Sequence, residues 1–376
     1  MPLADAVFAT MLPVAVLWSA VSRPAAWLRG KDATSPLPPD VDLSGRVVIV
    51  TGANTGIGSR TAFNLAKAGA KVIMACRSLE RGESARQQLE EEMRETLLKV
   101  EGGGGASAAR QGTLEVMKCD LSELESVRTF AREFKVKHGD RLDVLVNNGK
   151  SGVGITDGPR VTADGLDLVF GVNFVGHFCL TNELLPLIQS TPAARVVCLS
   201  SVMHHGGGTD WESAVMGHPK RRGSTYADSK LAMVIFAKEL KKRFAAAGSS
   251  ATAVAVNPGA VRSDIWRNVP KLVMPVFDLF MRFLFLTSEQ GSYTSVRAAA
   301  LPLGTLSGSG YYQPYWMPFK RPLPFEVFGP FVGCAPGRPK LVKDEPAATS
   351  ALWTTCERVI EAAGAARGDA PGASRG

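Results

Sequence analysis

The stretch "TGANTGIGSR", residues 51–60, stands between an apolar run typical of a buried strand and a segment with helical periodicity. Its glycines, Gly52, Gly56 and Gly58, suit a tight turn in which the backbone approaches a pyrophosphate. The following helix would offer free N–H groups and the positive end of its dipole to that anion. The spacing departs from G-x-G-x-x-G, yet a glycine turn between a strand and a helix favours a dinucleotide-binding site.

Outward from this turn, short β-rich runs alternate with helix-favouring segments along the chain. The β-rich runs are "RVVIVT", "KVIMAC", "LEVMKC", "LDVLVNN", "RVVCLSS" and "ATAVAVNP", and the helical segments are 57–68, 79–98, 122–137, 165–190 and 226–246. Such alternation is typical of βαβ units with right-handed crossovers. The sequence therefore predicts an α/β fold in one domain, residues 44–362. This fold is a Rossmann-type doubly wound parallel sheet of about seven strands with helices on both faces.

The composition of the 376 residues, 45% hydrophobic and 21% charged, is that of a globular protein with a sizeable core. The net charge of +8 comes from scattered basic residues, and no nucleic-acid motif accompanies them. A nucleic-acid partner is therefore not predicted. Six cysteines without a C-x-x-C pair indicate free thiols in a reducing compartment. No metal site is predicted, because the five histidines lack H-E-x-x-H spacing.

The N-terminus carries 17 uncharged residues between Asp5 and Arg23, at the lower limit for a membrane-spanning helix. Basic residues follow this run, which by the positive-inside rule keeps the next domain on the cytoplasmic side. We expect residues 1–31 to be a hydrophobic anchor on the endoplasmic reticulum or another organelle surface, with a cleaved signal peptide, a merely apolar leader or an organellar location as alternatives. Residues 32–43 are predicted to be a linker, and residues 363–376 a disordered tail.

The second β-rich run ends in Arg77, where an NAD site would usually show Asp or Glu. With Arg60 just past the glycines, two cations could meet a 2′-phosphate, which favours NADP over NAD. The alternative is that Arg77 only caps a surface loop. After the third run, Asp120 is placed to accept a hydrogen bond from the adenine amine.

Farther along, "TYADSK" sets Tyr226 and Lys230 four residues apart, hence on one face of a predicted helix. Taken alone, the pair also fits an ordinary polar helix start. Together with "TGANTGIG", "CDLS", "NNGK", "LSS" and "NPGAVRSD", it makes residues 44–300 resemble the short-chain dehydrogenase/reductase family. The wider sequence is similar to the retinol dehydrogenase-like branch. It also resembles light-dependent protochlorophyllide reductase, although the spacing from Ser201 to Tyr226 favours the former.

The resemblance implies a catalytic set in which Tyr226 is the general acid/base. Lys230 would favour its phenolate, since a phenol near pKa 10 is a poor base at neutral pH. Ser201 would hydrogen-bond the substrate oxygen, and Asn173 would keep a water for proton relay. Each residue also has an ordinary structural explanation when taken singly, as a strand-end turn, a helix polar residue or a packed aromatic ring.

The resemblance also implies contacts with NADP(H). The expected cofactor-binding residues are Gly52, Asn54, Thr55, Gly56, Ile57, Gly58, Arg60, Arg77, Asp120, Leu121, Asn147, Asn148, Tyr226, Lys230, Pro258, Gly259, Val261 and Ser263. One position departs from the family: Lys150 replaces the usual glycine in "NNGK". That change could crowd the site or add a contact to substrate or phosphate.

Residues 264–290 are apolar near helical spacing and would form a lid for a lipophilic substrate, or an ordinary buried helix. These features predict a membrane-associated, NADP-dependent oxidoreductase acting on a retinoid-, steroid- or long-chain aldehyde-like alcohol or carbonyl. The alternatives are a non-catalytic dinucleotide-binding sensor or scaffold and a protochlorophyllide-type reductase. A homodimer is left open.

Overall fold

The fold is that of a computed structural model, which describes most of the chain. The described residues are 36–101, 111–139, 141–151, 161–217, 223–259, 261, 286–302, 310–315 and 333–365.

Within these ranges, one eight-stranded sheet runs through the molecule in the order β3-β2-β1-β4-β5-β6-β7-β8. The strands are β1 Val47–Thr51, β2 Lys71–Cys76, β3 Thr113–Lys118, β4 Val144–Asn147, β5 Arg195–Leu199, β6 Thr252–Val256, β7 Tyr311–Tyr315 and β8 Gly333–Pro336. Seven strands are parallel, which confirms the predicted doubly wound sheet, and β8 adds an antiparallel edge.

Helices connect the strands on both faces. They are α1 Gly56–Lys67, α2 Leu79–Glu101, α3 Leu124–His138, α4 Leu168–Phe170, α5 Gly176–Glu183, α6 Leu185–Ser190, α7 Trp211–Met216, α8 Thr225–Ala246, α9 Ser288–Ala300 and α10 Glu345–Ala365. A π-helical turn, Gly171–Val175, joins α4 to α5, and a 3₁₀ turn, Val202–Gly206, follows β5.

The two faces of the sheet bury separate cores. Alternate residues of β1 divide between them: Ile49 packs towards α3, α5, α8 and α10, whereas Val48 and Val50 pack towards α1, α2 and α9. Both faces are covered, so the central strands are apolar runs without the polar alternation of a one-sided sheet. Each fully buried valine or isoleucine contributes about 1.5–3 kcal/mol relative to an exposed one.

The strand order reverses between β1 and β4, since the chain builds β2 and β3 on one side of β1 and β4 to β7 on the other. In open α/β sheets, ligands bind at the carboxyl ends of the strands beside such a reversal. The predicted site residues follow β1, β2, β3, β4, β5 and β6, so the topology brings them to this one edge.

The segment boundaries differ from expectation in three places. The predicted linker is partly packed, because Leu37 and Leu43 are buried in the core beside α1 and β1. Helix α2 extends three residues beyond position 98, and α10 continues to Ala365, past the predicted start of the tail. The predicted anchor, residues 1–31, lies outside the described residues. In the part of the chain that is described, no helix has the length and apolar character needed to cross a membrane.

Candidate active site

The turn after β1 requires glycine at two positions. Gly52 has a φ of +63°, and a Cβ added there would lie 2.8 Å from the Cα of Gly149. A Cβ at Gly58 would lie 2.3 Å from the carbonyl oxygen of Gly52. Any side chain at either position would therefore push the turn away from β4 or from the start of α1.

The N-terminus of α1 has the features of an anion site. Thr55 precedes the helix in an extended conformation and makes no side-chain capping hydrogen bond, and the first turn of the helix contains no acidic residue. Backbone N–H groups and the positive end of the helix dipole are thus presented at the sheet edge. The turn and helix start fit the pyrophosphate of a dinucleotide.

The thiol of Cys76, the last residue of β2, contacts the backbone of this turn. It accepts hydrogen bonds from the backbone of Ala53 and Asn54, and burial raises its pKa to about 11, so it stays a neutral thiol. It is one of five cysteines that are buried with free thiols in the described part of the chain, in line with the free thiols that the sequence indicated. The turn is therefore held by β2 as well as by β4.

The side chain of Thr51 is the centre of the contact between β1 and β4. Its hydroxyl oxygen accepts from the backbone N–H groups of Asn148 and Gly149, both at 2.8 Å. It also lies 2.8 Å from Nε2 of the fully buried His177. The Asn148 side chain donates to the Thr51 carbonyl at 2.8 Å, and Asn147 donates to Thr181 Oγ1 at 3.0 Å.

Sequence reasoning did not identify Thr51 or His177 as site residues. Thr51 ends an apolar run and His177 lies inside "GVNFVGHF", so neither shows a recognisable spacing. A buried polar residue within an otherwise apolar element was the only available signal.

At the carboxyl ends of β2 and β3, Arg77 follows β2 and is exposed. Asp120 follows the neighbouring strand β3, and its Oδ1 accepts from the backbone N–H and the hydroxyl of Ser122 at 2.9 and 2.6 Å. These contacts fix the carboxylate at the edge where the sequence placed it. Leu121 is buried beside Gly149 and Gly176 and forms the floor between them.

The predicted second cation, Arg60, forms ion pairs with two carboxylates of the protein. Its terminal nitrogens donate to both oxygens of Glu92 at 2.6 and 2.9 Å, and its Nε pairs with Glu289. The guanidinium also lies 4.2 Å above the centre of the Phe63 ring. Two carboxylates already neutralise this charge, so Arg60 links α1, α2 and α9. The prediction that it would face a 2′-phosphate is not supported by these contacts.

Tyr226 and Ser201 meet at the carboxyl end of β5. Helix α8 begins at Thr225, where the hydroxyl of Ser224 accepts from the N–H of Ala227 at 3.4 Å. This cap places Tyr226 in the first turn, buried, with its side chain hydrogen-bonded to Ser201. Burial raises the pKa of the phenol to about 12, although the Ser201 hydrogen bond opposes the rise.

Lys230 lies one turn further along α8 and is almost completely buried. Its Nζ donates to the carbonyl of Leu199 at 2.9 Å and is 5.5 Å from the centre of the Tyr226 ring. Burial, with a smaller contribution from the charge of Lys150, lowers its pKa to about 7. The sequence-based expectation was that the ammonium would lower the tyrosine pKa. Among the protein's own groups burial dominates instead, and the two pKa values move apart.

Asn173 is at the centre of the π-helical turn between α4 and α5. Its Oδ1 accepts from the N–H of Ser151 at 2.7 Å, and its Nδ2 donates to Ser229 Oγ at 3.2 Å. Ser229 in turn donates to the carbonyl oxygen of Tyr226 at 2.7 Å. Asn173 is thus connected to the first turn of α8, and π turns of this kind occur often at functional sites.

The segment after β6 reaches the same edge. Pro258 is buried, and Gly259, with a φ of +79°, donates its N–H to Asn257 Oδ1 at 3.0 Å. Val261 packs with Ile57 and Leu286 in a small apolar cluster. The structure therefore brings Ile57 and Val261 together, while Ser263 and residues 264–285 of the predicted lid lie outside the described residues.

Sequence comparison decides the family. The short chain dehydrogenase profile matches residues 46–103 and 105–272. The chain belongs to the short chain dehydrogenase family. This dehydrogenase is an oxidoreductase that binds a nicotinamide dinucleotide, which agrees with the glycine turn and the free helix N-terminus.

Individual relatives place the dehydrogenase in the retinol dehydrogenase-like branch. It is 38% identical over 263 residues to human retinol dehydrogenase 14, covering 69% of this chain and 75% of the relative. It is 39% identical over 270 residues to human retinol dehydrogenase 12, covering 72% of this chain and 78% of the relative.

Solved structures share the fold. The crystal structure of an uncharacterised protein from Mycobacterium paratuberculosis superposes with a TM-score of 0.60 at 30% identity, over 85% of this chain and 96% of that chain. Pseudomonas aeruginosa RhlG, solved as an NADP active-site complex, gives a TM-score of 0.52 at 22% identity, over 73% of this chain and 96% of that chain. The second likeness concerns the fold alone.

Proposed function

We propose that this dehydrogenase is NADP-dependent and interconverts an alcohol and a carbonyl on a lipophilic substrate, with reduction as the working direction. The observation that carries the proposal is the position of the buried Tyr226 beside Ser201, at the carboxyl end of β5, where the Ser201 hydroxyl opposes the rise in the pKa of the phenol. At that place the hydroxyl groups of Tyr226 and Ser201 can both hydrogen-bond to one substrate oxygen.

The cofactor, when bound, supplies the hydride. Gly52, Gly58 and the N-terminus of α1 would hold its pyrophosphate, and Ile57 and Val261 would pack against its apolar surfaces. Arg77 is the exposed cation at the end of β2 and would pair with a 2′-phosphate. This contact is the reason to favour NADP over NAD.

Tyr226 would be the proton donor in this reaction. With a pKa raised to about 12, the phenol keeps its proton at neutral pH and can give it to the oxygen of a carbonyl as hydride reaches the carbon. The hydroxyl of Ser201 would hydrogen-bond the same oxygen and stabilise the charge that develops there. A protonated tyrosine suits the reductive direction, because an acid is needed in that step.

Lys230 would stabilise the phenolate that remains after proton transfer. Its pKa of about 7 means that a small change in its surroundings adds or removes its charge at neutral pH. An ammonium 5.5 Å from the tyrosine ring favours the ionised phenol. The link from Asn173 through Ser229 to the Tyr226 carbonyl keeps the first turn of α8 in register with that lysine.

The substrate class rests on two further features. Met203, two residues after Ser201, is 48% exposed beside the reacting position and offers an apolar surface. The relatives named retinol dehydrogenases suggest a lipophilic alcohol or aldehyde. A membrane-associated enzyme facing the cytoplasm, anchored through residues 1–31, would meet such a substrate at a bilayer.

The test is turnover by the full-length protein in detergent. NADPH and NADH would each be supplied with retinal, steroid ketones and long-chain aldehydes, and absorbance of the reduced nicotinamide would be followed. We expect consumption of NADPH with at least one carbonyl, abolished in Tyr226→Phe. NADPH binding without turnover across the panel would contradict the proposal and favour a dinucleotide sensor. Turnover of a tetrapyrrole that occurs only under illumination would favour the protochlorophyllide-type alternative.

A further inference from the structure

The hydroxyl of Thr51 has one proton to donate and two lone pairs to accept with. Both lone pairs are occupied, since the N–H groups of Asn148 and Gly149 each donate to Oγ1 at 2.8 Å. The hydroxyl proton must therefore point elsewhere. Nε2 of His177 lies at 2.8 Å, whereas the alternative acceptor, the carbonyl of Val146, lies at 3.3 Å. The shorter contact identifies Nε2 as the acceptor.

An accepting Nε2 fixes the tautomer of His177. A neutral imidazole with a lone pair on Nε2 carries its proton on Nδ1. Nδ1 lies 3.0 Å from the carbonyl oxygen of Asn173, which can only accept. The histidine therefore takes a proton from Thr51 on one side and gives one to Asn173 on the other. Complete burial lowers its pKa to about 3, so this neutral form persists at any physiological pH.

The carbonyl that His177 holds belongs to an irregular part of the helix. Asn173 lies in the π turn, where the N–H of Gly176 returns to Gly171 instead of making a regular helical bond. The side chain of Asn173 continues the hydrogen bonding to Ser229, which donates to the carbonyl of Tyr226. A continuous chain of direct hydrogen bonds thus joins the end of β1 to the first turn of α8.

We propose that His177 is a positioning residue, locked as its Nδ1–H tautomer, which couples the cofactor turn to the catalytic helix through Thr51 and Asn173. Its role is to fix the Asn173 carbonyl in the π turn while anchoring the hydroxyl that holds β4 against β1. The kinetic consequences rest on the proposed function, whereas the tautomer does not.

Nitrogen-15 NMR of the labelled full-length protein reads the tautomer directly. We expect the assigned signals of His177 to show a protonated Nδ1 and an unprotonated Nε2, unchanged from roughly pH 5 to 9, and to be lost in His177→Asn. His204 is expected in the same tautomer, because its Nδ1 faces the carbonyl of Ser201 at 2.6 Å and its Nε2 accepts from the N–H of Lys340 at 3.1 Å, and its signals should persist in that variant. Thr51→Val removes the donor to Nε2 of His177 and should change the signature of that residue, whereas Thr51→Ser should retain it. An Nε2–H signal for His177, or titration within that pH range, would overturn the inference.

Kinetics and binding distinguish positioning from simple core packing. His177→Phe removes both contacts, and we expect kcat to fall about 10- to 100-fold and the Kd for NADPH to rise. His177→Asn keeps a donor near the Nδ1 position and should recover most of kcat. Cys179→Ala, a buried change on the same helix outside the hydrogen-bond chain, serves as the control for core damage.

The outcomes are separable. Equal losses in His177→Asn and His177→Phe, matched by equal losses of stability, would reduce His177 to a packing residue and overturn the inference. If the wild-type protein turns over no carbonyl, the proposed function fails, and the NMR signature together with NADPH affinity still decides the role of His177.

Discussion

The turn after β1 and the first turn of α8 stand at the same edge of the sheet but are built on opposite principles. Around Thr51, neutral groups hydrogen-bond to one another, and the buried His177 is kept uncharged. Around Tyr226 and Lys230, burial displaces the pKa of each ionisable group, upward for the phenol and downward for the amine. The hydrogen bonds around Thr51 fix the shape of the turn after β1, whereas the burial of the ionisable groups of Tyr226 and Lys230 lowers the stability of the folded protein.

The difference shows where function and stability diverge. A hydrogen-bond network of neutral groups fixes the backbone without a charge penalty, which suits a surface that must match a rigid dinucleotide. A buried lysine is unfavourable for folding and is tolerated where its charge is needed in the reaction. Substitutions in the two regions should therefore have opposite effects on stability.

The largest effect is expected for Lys230→Met. Turnover should fall by about 10²- to 10⁴-fold, the range of a lost acid–base partner, while the protein becomes more stable near neutral pH. The native pKa of about 7 lies below the ordinary value of 10.5. As pH falls from 10.5 to 7 the unfolded chain binds a proton that the folded protein does not, so wild type loses stability over that window.

Stability of this variant is measured by urea unfolding across that pH range. We expect Lys230→Met to gain up to about 3–4 kcal/mol at pH 7, after a loss of about 1 kcal/mol for the bond to Leu199, and to gain least above pH 10.5. Lys238→Met, on the same helix but paired with Glu345 at 2.8 Å, is the control and should show no such gain. A Lys230→Met protein that is less stable at pH 7 would contradict the comparison.

Gly52→Ala should damage the neutral region instead. The added Cβ would meet the Cα of Gly149 at 2.8 Å in a backbone with φ of +63°. We expect a loss of stability of about 2–3 kcal/mol and at least a tenfold weaker NADPH affinity, measured by unfolding and by fluorescence titration. Gly45→Ala is the matched control, because its φ is +74° and the space around it is open. Equal losses of stability and affinity in Gly52→Ala and Gly45→Ala would show that backbone strain alone, without the contact with Gly149, accounts for them.

Arg77→Ala tests which cofactor the turn selects. Loss of a charged contact to a 2′-phosphate should weaken NADPH binding about 10- to 100-fold and leave NADH binding nearly unchanged. The ratio of the two Kd values is the measurement. Arg81→Ala, at an exposed arginine four residues further along in the first turn of α2, is the control. Equal weakening for both cofactors would show that Arg77 does not read the phosphate.

The smallest effect is expected for Lys150→Met, which removes the positive charge that helps to lower the pKa of Lys230. That pKa should rise, and the limb of the kcat/KM profile that reports Lys230 should move to higher pH by less than about one unit. Lys118→Met, an exposed lysine at the end of β3, controls for loss of charge at the same sheet edge. A shift to lower pH, or an equal shift in both variants, would show that the charge of Lys150 does not lower the pKa of Lys230.

The parallel sheet and the glycine turn were predictable because periodic apolar runs and glycines between a strand and a helix carry strong local signals. The ion pairs of Arg60 could not be foreseen, because its partners, Glu92 and Glu289, are distant in sequence and charge pairing across helices has no local pattern. The pKa directions failed for a related reason. Proximity of Tyr226 and Lys230 can be read from i,i+4 spacing, but the depth of their burial depends on the whole fold.

Transfer of deuterium from NADPH that carries the label on the transferring face of the nicotinamide ring would show whether this site transfers hydride to a carbonyl. The full-length enzyme would be given a lipophilic carbonyl, and the product would be analysed by mass spectrometry. We predict an alcohol one mass unit heavier, with the label on the former carbonyl carbon, and none with Tyr226→Phe. Consumption of the labelled cofactor without deuterium in the product would contradict hydride transfer by this site.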